Sequence, residues 1–169
     1  GYSSAASDVY KRQVDNFSLK KSLRKCYKET ILRRLNMLNY HPPRGAVLIC
    51  DYKGFIIPEM VKSRPVIVIS PRFRTRSNLC SVVPLSTTKP EYLMDYHMEI
   101  ELPARLPKPF DCKTHWVKAD MINTVCFDRL SPIKLGKDQF GKRKYLNCVI
   151  SNEQMEKLLI AVKNGLGIK

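Results

Sequence analysis

The spacing of hydrophobic residues changes near residue 40, and this change separates a predicted helix from a run of predicted strands. Between residues 16 and 39 the apolar side chains recur every three or four positions, which is typical of an amphipathic helix; they are Leu19, Leu23, Cys26, Tyr27, Ile31, Leu35 and Leu38. The opposite face is rich in Lys and Arg. We therefore predict a basic amphipathic helix within residues 14–40, whose basic face is either solvated or in contact with phosphates.

Residues 41–169 have the pattern of a compact β domain that ends in a helix. His41-Pro42-Pro43-Arg44-Gly45 breaks the first helix. Short apolar or alternating runs then predict six strands: Ala46–Tyr52, Pro65–Ser70, Leu79–Ser86, Tyr96–Leu102, Trp116–Met121 and Thr124–Phe127. Ser151 and Gln154 have the spacing of a capping box, which predicts a second helix that ends at Asn164-Gly165. Short strands at this spacing favour a small barrel or a strongly coiled sheet.

Residues 1–13, GYSSAASDVYKRQ, do not resemble the start of this domain. They lack the apolar stretch of a signal peptide. They are similar to the adapter-derived read-through sometimes found at the ends of assembled sequences, and we do not expect them to be part of the fold.

The charge balance narrows the range of partners. Thirty Lys and Arg residues against fifteen Asp and Glu leave a net charge of +15, which indicates a polyanionic partner such as RNA or DNA. The six Cys residues are scattered, without a CxxC pair or a Cys/His cluster, which argues against a zinc site and against a disulfide framework. No apolar run approaches the roughly 18–20 residues of a membrane span. We expect a cytoplasmic protein with no metal, no cofactor and no membrane association.

One predicted strand carries an aromatic, a basic and an acidic residue, a combination that could form a binding or catalytic site. In residues 115–121 the apolar side chains alternate with Trp116, Lys118 and Asp120, so these three share the polar face. The group is either a surface ion pair beside an aromatic ring, contributing about 0–1 kcal/mol, or part of a site. A ribonuclease that uses two histidines is disfavoured, because His97 lies on the polar side of its strand and His115 on the apolar side of another.

Four segments resemble the MazF/PemK toxin family, in order and at plausible spacing. Pro43–Leu48 resembles the family's first strand, and Pro58–Ile69 resembles the loop in which a Glu precedes an Arg-Pro pair at the start of an apolar strand. Val82–Thr88 is similar to the strand that ends in Pro-Leu-Thr, and residues 116–130 to the late strand pair. The match is closest to a PemK-like branch with an added N-terminal helix.

The resemblance implies a fold, an activity and partners. The fold would be mainly β with flanking helices, the small barrel shared with CcdB-type gyrase poisons. The activity would be that of a type II toxin, a sequence-specific, metal-independent endoribonuclease that acts on single-stranded mRNA and inhibits growth. Its products would carry 2′,3′-cyclic phosphate and 5′-hydroxyl ends. Members are typically homodimers controlled by an antitoxin, here expected to be acidic.

The same resemblance assigns roles to individual residues. Asp120 would be the general base, Arg64 and Lys118 would hold the phosphate charge, and Ser86 would donate a hydrogen bond in the position of the catalytic Thr. The candidate RNA-binding residues are Glu59, Lys62, Thr87, Trp116, Arg72 and Arg74. Three positions depart from the family pattern: Ser86 replaces Thr, Lys118 replaces Arg and so loses the bidentate fork, and Pro58 replaces His.

Two other functions fit the same barrel. One is a nucleic-acid-binding module that has lost catalysis through the substitutions at positions 58, 86 and 118. The other is a CcdB-like toxin that targets a protein, which would not need Arg64 and Ser86 beside Asp120.

Overall fold

The computed structural model describes Leu38 and residues 40–169. Residues 1–13 and the predicted helix within residues 14–40 lie outside this part of the chain, apart from Leu38 and Tyr40.

The described residues form nine strands, one short 3₁₀ turn and a C-terminal helix. The strands are β1 (Val47–Cys50), β2 (Arg64–Val68), β3 (Leu79–Ser86), β4 (His97–Glu101), β5 (Thr114–Lys118), β6 (Asn123–Cys126), β7 (Leu130–Ser131), β8 (Ile133–Lys137) and β9 (Arg143–Leu146). The 3₁₀ turn (Phe127–Arg129) joins β6 to β7, and the helix is α1 (Asn152–Gly165). The prediction of a mainly β domain with a C-terminal helix is confirmed.

Seven strands form one antiparallel sheet in which β3 pairs with three other strands. The order is β4-β5-β3-β2-β1-β7, and β6 pairs with β3 as well. One edge of β3 pairs with β2, and the other pairs first with β6 and then, at Leu85 and Ser86, with β5. Within the described residues no ladder joins β4 to β7, so the sheet stays open. Strands β8 and β9 form a separate hairpin.

The two faces of the central strands pack into two hydrophobic clusters. Ile67, Val83 and Leu85 face a cluster that includes Leu158 and Val162 of α1. Their neighbours in sequence point the other way, into a second cluster that includes Val66, Val68, Val82, Phe127 and Leu130. Because successive side chains of a strand alternate between faces, burial of both faces requires a continuous apolar run, as in β2.

The predicted bounds of one strand differ from the structure because a turn closes earlier than the hydrophobic pattern indicates. The strand predicted for Trp116–Met121 begins at Thr114 and ends at Lys118. The Met121 N–H donates to the Lys118 carbonyl at 3.1 Å, and the Asn123 amide donates to the Met121 carbonyl at 2.9 Å. The β8–β9 hairpin was not predicted, because after Ile133 nearly all its positions are exposed and show no apolar alternation.

The helix α1 begins with the predicted capping box. The Ser151 hydroxyl accepts the Gln154 N–H at 3.1 Å, and the Gln154 side chain accepts the Ser151 N–H at 3.0 Å. The Gln154 amide also donates to the Glu101 carbonyl at 2.7 Å, which fixes the start of α1 against the end of β4.

Three described cysteines behave as small buried hydrophobes. Cys50, Cys80 and Cys148 are buried and form no disulfide. Burial raises the pKa of the Cys50 thiol to about 12 and that of Cys80 to about 11, so both stay protonated at neutral pH.

A candidate active site at the meeting ends of three strands

The start of β2 and the end of β3 lie next to each other. Val66 pairs with Pro84 in an antiparallel register, and the same register carried two residues outward sets Arg64 opposite Ser86. Ser86 pairs in turn with Trp116 of β5. Directly paired residues of antiparallel strands share a face, with Cβ atoms about 4.5–5.5 Å apart. Arg64, Ser86 and Trp116 therefore lie in a row on one face, and Lys118 joins them because it is two residues beyond Trp116.

Arg64 brings an unsatisfied donor to this row. Its side chain is partly buried, and its Nε atom is enclosed without a hydrogen-bond partner among the described residues. A buried donor left unpaired costs about 1–3 kcal/mol. A guanidinium held in this way is suited to an anion such as a phosphate, which would supply the missing acceptor.

Ser86 is the last residue of β3 and is 8% exposed. Its hydroxyl oxygen accepts the Thr88 N–H at 3.1 Å, so the hydroxyl proton remains available to donate. Thr87 lies in the same turn and is partly buried. The turn thereby fixes a donor at the strand end that faces Arg64.

The predicted alternation of β5 is confirmed. His115 and Val117 are buried, whereas Trp116 and Lys118 are partly exposed on the opposite face. The Lys89 ammonium lies 5.9 Å from the centroid of the Trp116 ring, within the range of a cation–π interaction. An aromatic surface flanked by two lysines is suited to a nucleobase and its phosphates.

Asp120 is positioned by a turn, which corrects the expectation that it belongs to the polar face of the strand. β5 ends at Lys118, and Asp120 follows in the exposed turn that Met121 closes. Ala119, between them, is fully buried. A Cβ atom added to Gly165 at the end of α1 would lie 3.2 Å from the Ala119 carbonyl oxygen and from the Asp120 nitrogen. The helix therefore packs directly against the backbone that carries Asp120.

β4 adds two polar residues that sequence analysis did not include in the site. His97 pairs with Lys118 and Glu99 pairs with Trp116, so both share the face of the row. The His97 Nδ1 atom accepts the Met94 N–H at 3.3 Å, which assigns the proton of a neutral ring to Nε2. The polar alternation of β4 was the signal for these residues, but the pairing of β4 with β5 could not be read from it.

Comparisons with known proteins identify the family. Residues 43–166 match the family described as PemK-like, MazF-like toxin of type II toxin-antitoxin system. The chain belongs to this toxin family. It is 29% identical to the Escherichia coli K12 protein YifN over 74% of this chain and 91% of the relative.

Two solved structures are similar to the toxin. MazF from Deinococcus radiodurans matches with a TM-score of 0.51 and 18% identity, over 76% of this chain and 99% of that one. An endoribonuclease from a mycobacterial species matches with a TM-score of 0.47 and 25% identity, over 76% of this chain and 94% of that one. The Deinococcus match and the family assignment confirm the predicted fold class, which is the MazF-type small barrel. Within the described residues the sheet of this toxin does not close completely.

Two candidate RNA-binding residues of the toxin, Glu59 and Lys62, lie on the exposed loop that leads into Arg64. The Glu59 carboxylate accepts the Ile56 N–H at 2.7 Å, so it shapes the loop locally. Arg129 secures the base of the loop by donating to the carbonyls of Asp51 and Lys53, each at 3.0 Å. The loop is therefore anchored beside the start of β2.

Arg72 and Arg74 lie apart from the row. They are exposed on the loop between β2 and β3 and border a pocket of about 350 Å³ together with Asn78. Asn78 precedes the first residue of β3, whereas Ser86 is the last, and eight strand residues span about 23 Å. The structure therefore groups Arg64, Ser86, Trp116 and Lys118 but not these two arginines.

His115 is a core residue, as the periodicity predicted. It is 1% exposed, its Nε2–H donates to the Phe110 carbonyl at 3.1 Å, and burial lowers its pKa below the usual value. Within residues 40–169 no three His, Cys, Asp or Glu side chains cluster as metal ligands would. The same residues include no helix long and apolar enough to cross a membrane.

Proposed function

We propose that this toxin is a sequence-specific endoribonuclease that cuts single-stranded mRNA without a metal ion. The observation that carries the proposal is the row of Arg64, Ser86, Trp116 and Lys118 on one sheet face, with an unpaired Arg64 donor and the Asp120 turn directly after Lys118. Membership of a toxin family gives the row a biological context. Two cations and a hydroxyl supply the phosphate recognition that a metal provides in other nucleases.

The chemistry would be an attack of the ribose 2′ oxygen on the adjacent phosphorus. Asp120 takes the 2′-hydroxyl proton, and the new bond closes a 2′,3′-cyclic phosphate while the bond to the 5′ oxygen breaks. Arg64 and Lys118 stabilise the charge of the pentacoordinate phosphate, and Ser86 donates a further hydrogen bond. The departing 5′ oxygen takes up a proton from water and leaves a 5′-hydroxyl end, and Asp120 releases the proton it took to solvent.

The RNA substrate would bind along the same face of the sheet. Trp116 stacks a base, which contributes about 1–3 kcal/mol in single-stranded sites. Thr87 and the anchored loop with Glu59 and Lys62 contact the nucleotides next to the scissile phosphate. Arg72 and Arg74 contact more distant nucleotides of the same RNA. Toxins of this family belong to toxin-antitoxin systems, and a net charge of +15 favours an acidic antitoxin that competes with RNA for these cations.

The direct test is incubation of the purified protein with a long single-stranded RNA in excess EDTA. We expect cleavage at a small number of sites, and we expect Arg64→Gln to lower the rate about 10²–10³-fold, the usual cost of one transition-state donor. Lys163→Gln on the exposed side of α1 is the control for loss of charge. RNA binding without cleavage would favour the non-catalytic module, and neither binding nor cleavage would favour a protein target.

A further inference from the structure

Glu99 brings a negative charge to the face that carries the cations of the candidate active site. It lies on β4 directly opposite Trp116 of β5, and it is exposed. Directly paired residues of antiparallel strands have Cβ atoms about 4.5–5.5 Å apart. The Glu99 side chain therefore leaves the backbone next to the ring on which a base would stack, and the proposed cleavage chemistry gives it no role.

Among residues 40–169 the Glu99 carboxylate has no hydrogen-bond or ion-pair partner. Glu101 shares its face two positions along β4, but the Glu101 carboxylate lies 3.5 Å from the Lys113 ammonium. The Lys89 ammonium is directed to the Trp116 ring, 5.9 Å from its centroid. Glu99 is therefore an acceptor beside an aromatic ring, and the described part of the chain supplies no donor for it.

A carboxylate on a face that binds phosphates opposes RNA binding, because like charges repel each other. An ionised carboxylate is only an acceptor, so it gains from RNA only where the RNA donates a hydrogen bond. The donors of single-stranded RNA are the N–H groups on the edges of its bases and the 2′-hydroxyls. A base stacked on Trp116 would bring its edge to Glu99, which makes base N–H groups the donors within reach.

Guanine is the base whose edge matches a carboxylate. Its N1–H and N2–H donors are adjacent, and the two oxygens of a carboxylate accept them side by side. Adenine, cytosine and uracil each place an acceptor next to the donor on this edge, and the second carboxylate oxygen would repel that acceptor. We propose that Glu99 selects guanine for the position stacked on Trp116, and that it thereby helps to set the sequence at which RNA is cut.

The first measurement compares bases in RNA that cannot be cut, because the inference rests on the proposed function for its ligand. Short fluorescent 2′-O-methyl oligo-uridines carry guanine, inosine, adenine or cytosine at the centre, and the oligonucleotide with uridine alone is the reference. The guanine oligonucleotide should bind at least about fivefold more tightly than the reference, which is the lower end of the discrimination by one bidentate pair. Inosine, which lacks the N2 amino group, should lose most of this gain.

The second measurement repeats the series with Glu99→Gln, which changes the pattern of donors and acceptors at nearly constant shape. A Gln side chain has one acceptor and one donor, which match adenine and not guanine. The variant should lose the guanine preference and bind the adenine oligonucleotide most tightly. The matched control is Glu101→Gln, which removes the same charge from the same face of β4, about 6.8 Å further along the strand. It should keep the guanine preference.

A guanine preference that Glu99→Gln leaves unchanged would overturn the inference, provided that thermal melting shows the variant folded. A uniform gain in affinity for every oligonucleotide would also overturn it, because Glu99 would then act only through its charge. The cut sites in unmodified RNA are mapped in parallel. If the wild-type protein cuts RNA with no guanine at a fixed position near the cut, only the role of Glu99 fails; if it neither binds nor cuts RNA, the proposed function fails first.

Discussion

Asp120 differs from the other proposed catalytic residues in its position, because a turn carries it and solvent reaches it. Arg64, Ser86 and Lys118 are each partly or fully buried at a strand end. Strand alternation could be read from the sequence, and it correctly separated His115 from Trp116 and Lys118. The residue at which β5 ends could not be predicted from the sequence, because it depends on hydrogen bonds of Met121 and Asn123 that the hydrophobic pattern does not indicate.

Asp120→Asn removes the proposed base while keeping the shape of the side chain. We expect turnover to fall about 10²–10⁴-fold, the usual contribution of a general base, with RNA affinity nearly unchanged. Single-turnover cleavage and binding to uncleavable RNA measure the two quantities. Asp128→Asn, an exposed carboxylate in the 3₁₀ turn, is the control. Equal rates for the two variants would assign the base to another residue.

His115 makes the stability of the fold depend on pH. Because burial lowers its pKa in the folded state, the unfolded chain binds the proton more readily as the pH falls below about 6.5. The contribution of neutral His115 to stability is complete above that pH, and it is lost as the pH falls toward the lowered value. Urea unfolding between pH 5 and 8 measures this loss. His115→Leu should flatten the acid side of the profile, and an unchanged profile would contradict the assignment.

At the scale of elements, the site depends on contacts that join segments distant in sequence. The apolar run of β2, the alternation of β4 and the capping box of α1 made these elements predictable. The order β4-β5-β3-β2-β1-β7 was not predictable, because strand pairing depends on packing between distant segments. His97 was therefore missed. The β8–β9 hairpin was missed because its exposed residues carry no hydrophobic period.

The close contact between α1 and the Asp120 turn predicts a mutation that affects catalysis more than stability. In Gly165→Ala the new methyl group would meet the backbone of Ala119 and Asp120 at 3.2 Å, so the turn must shift by a few tenths of an ångström. Ala gains about 1 kcal/mol of helix propensity over Gly, which offsets the strain. We expect turnover to fall about tenfold, since catalysis is sensitive to small misplacement, with a small change in melting temperature.

Lys163→Ala, on the exposed surface of the same helix, controls for the general effect of Ala in α1. A Gly165→Ala protein with the turnover of this control would show that the helix does not position Asp120.

At the scale of the whole molecule, the short row formed by Arg64, Ser86, Trp116 and Lys118 favours a two-fold assembly. One row is short, and two copies related by a two-fold axis would form a longer positive channel from the same residues. We propose a homodimer, and we expect light scattering at micromolar concentration to give about twice the 19.5 kDa of the chain. A species of 19.5 kDa that still cuts RNA would contradict an obligate dimer.

The chemical ends of the cleavage products test the central claim most directly. RNA cut in EDTA should carry 2′,3′-cyclic phosphate and 5′-hydroxyl ends, detected by mass spectrometry and by labelling with polynucleotide kinase without prior phosphatase treatment. RNA in which a 2′-deoxynucleotide replaces the one before the scissile phosphate should resist cleavage. Products with 5′-phosphate and 3′-hydroxyl ends, or cleavage that EDTA abolishes and Mg²⁺ restores, would contradict a metal-independent attack by the 2′ oxygen at Arg64, Ser86, Lys118 and Asp120.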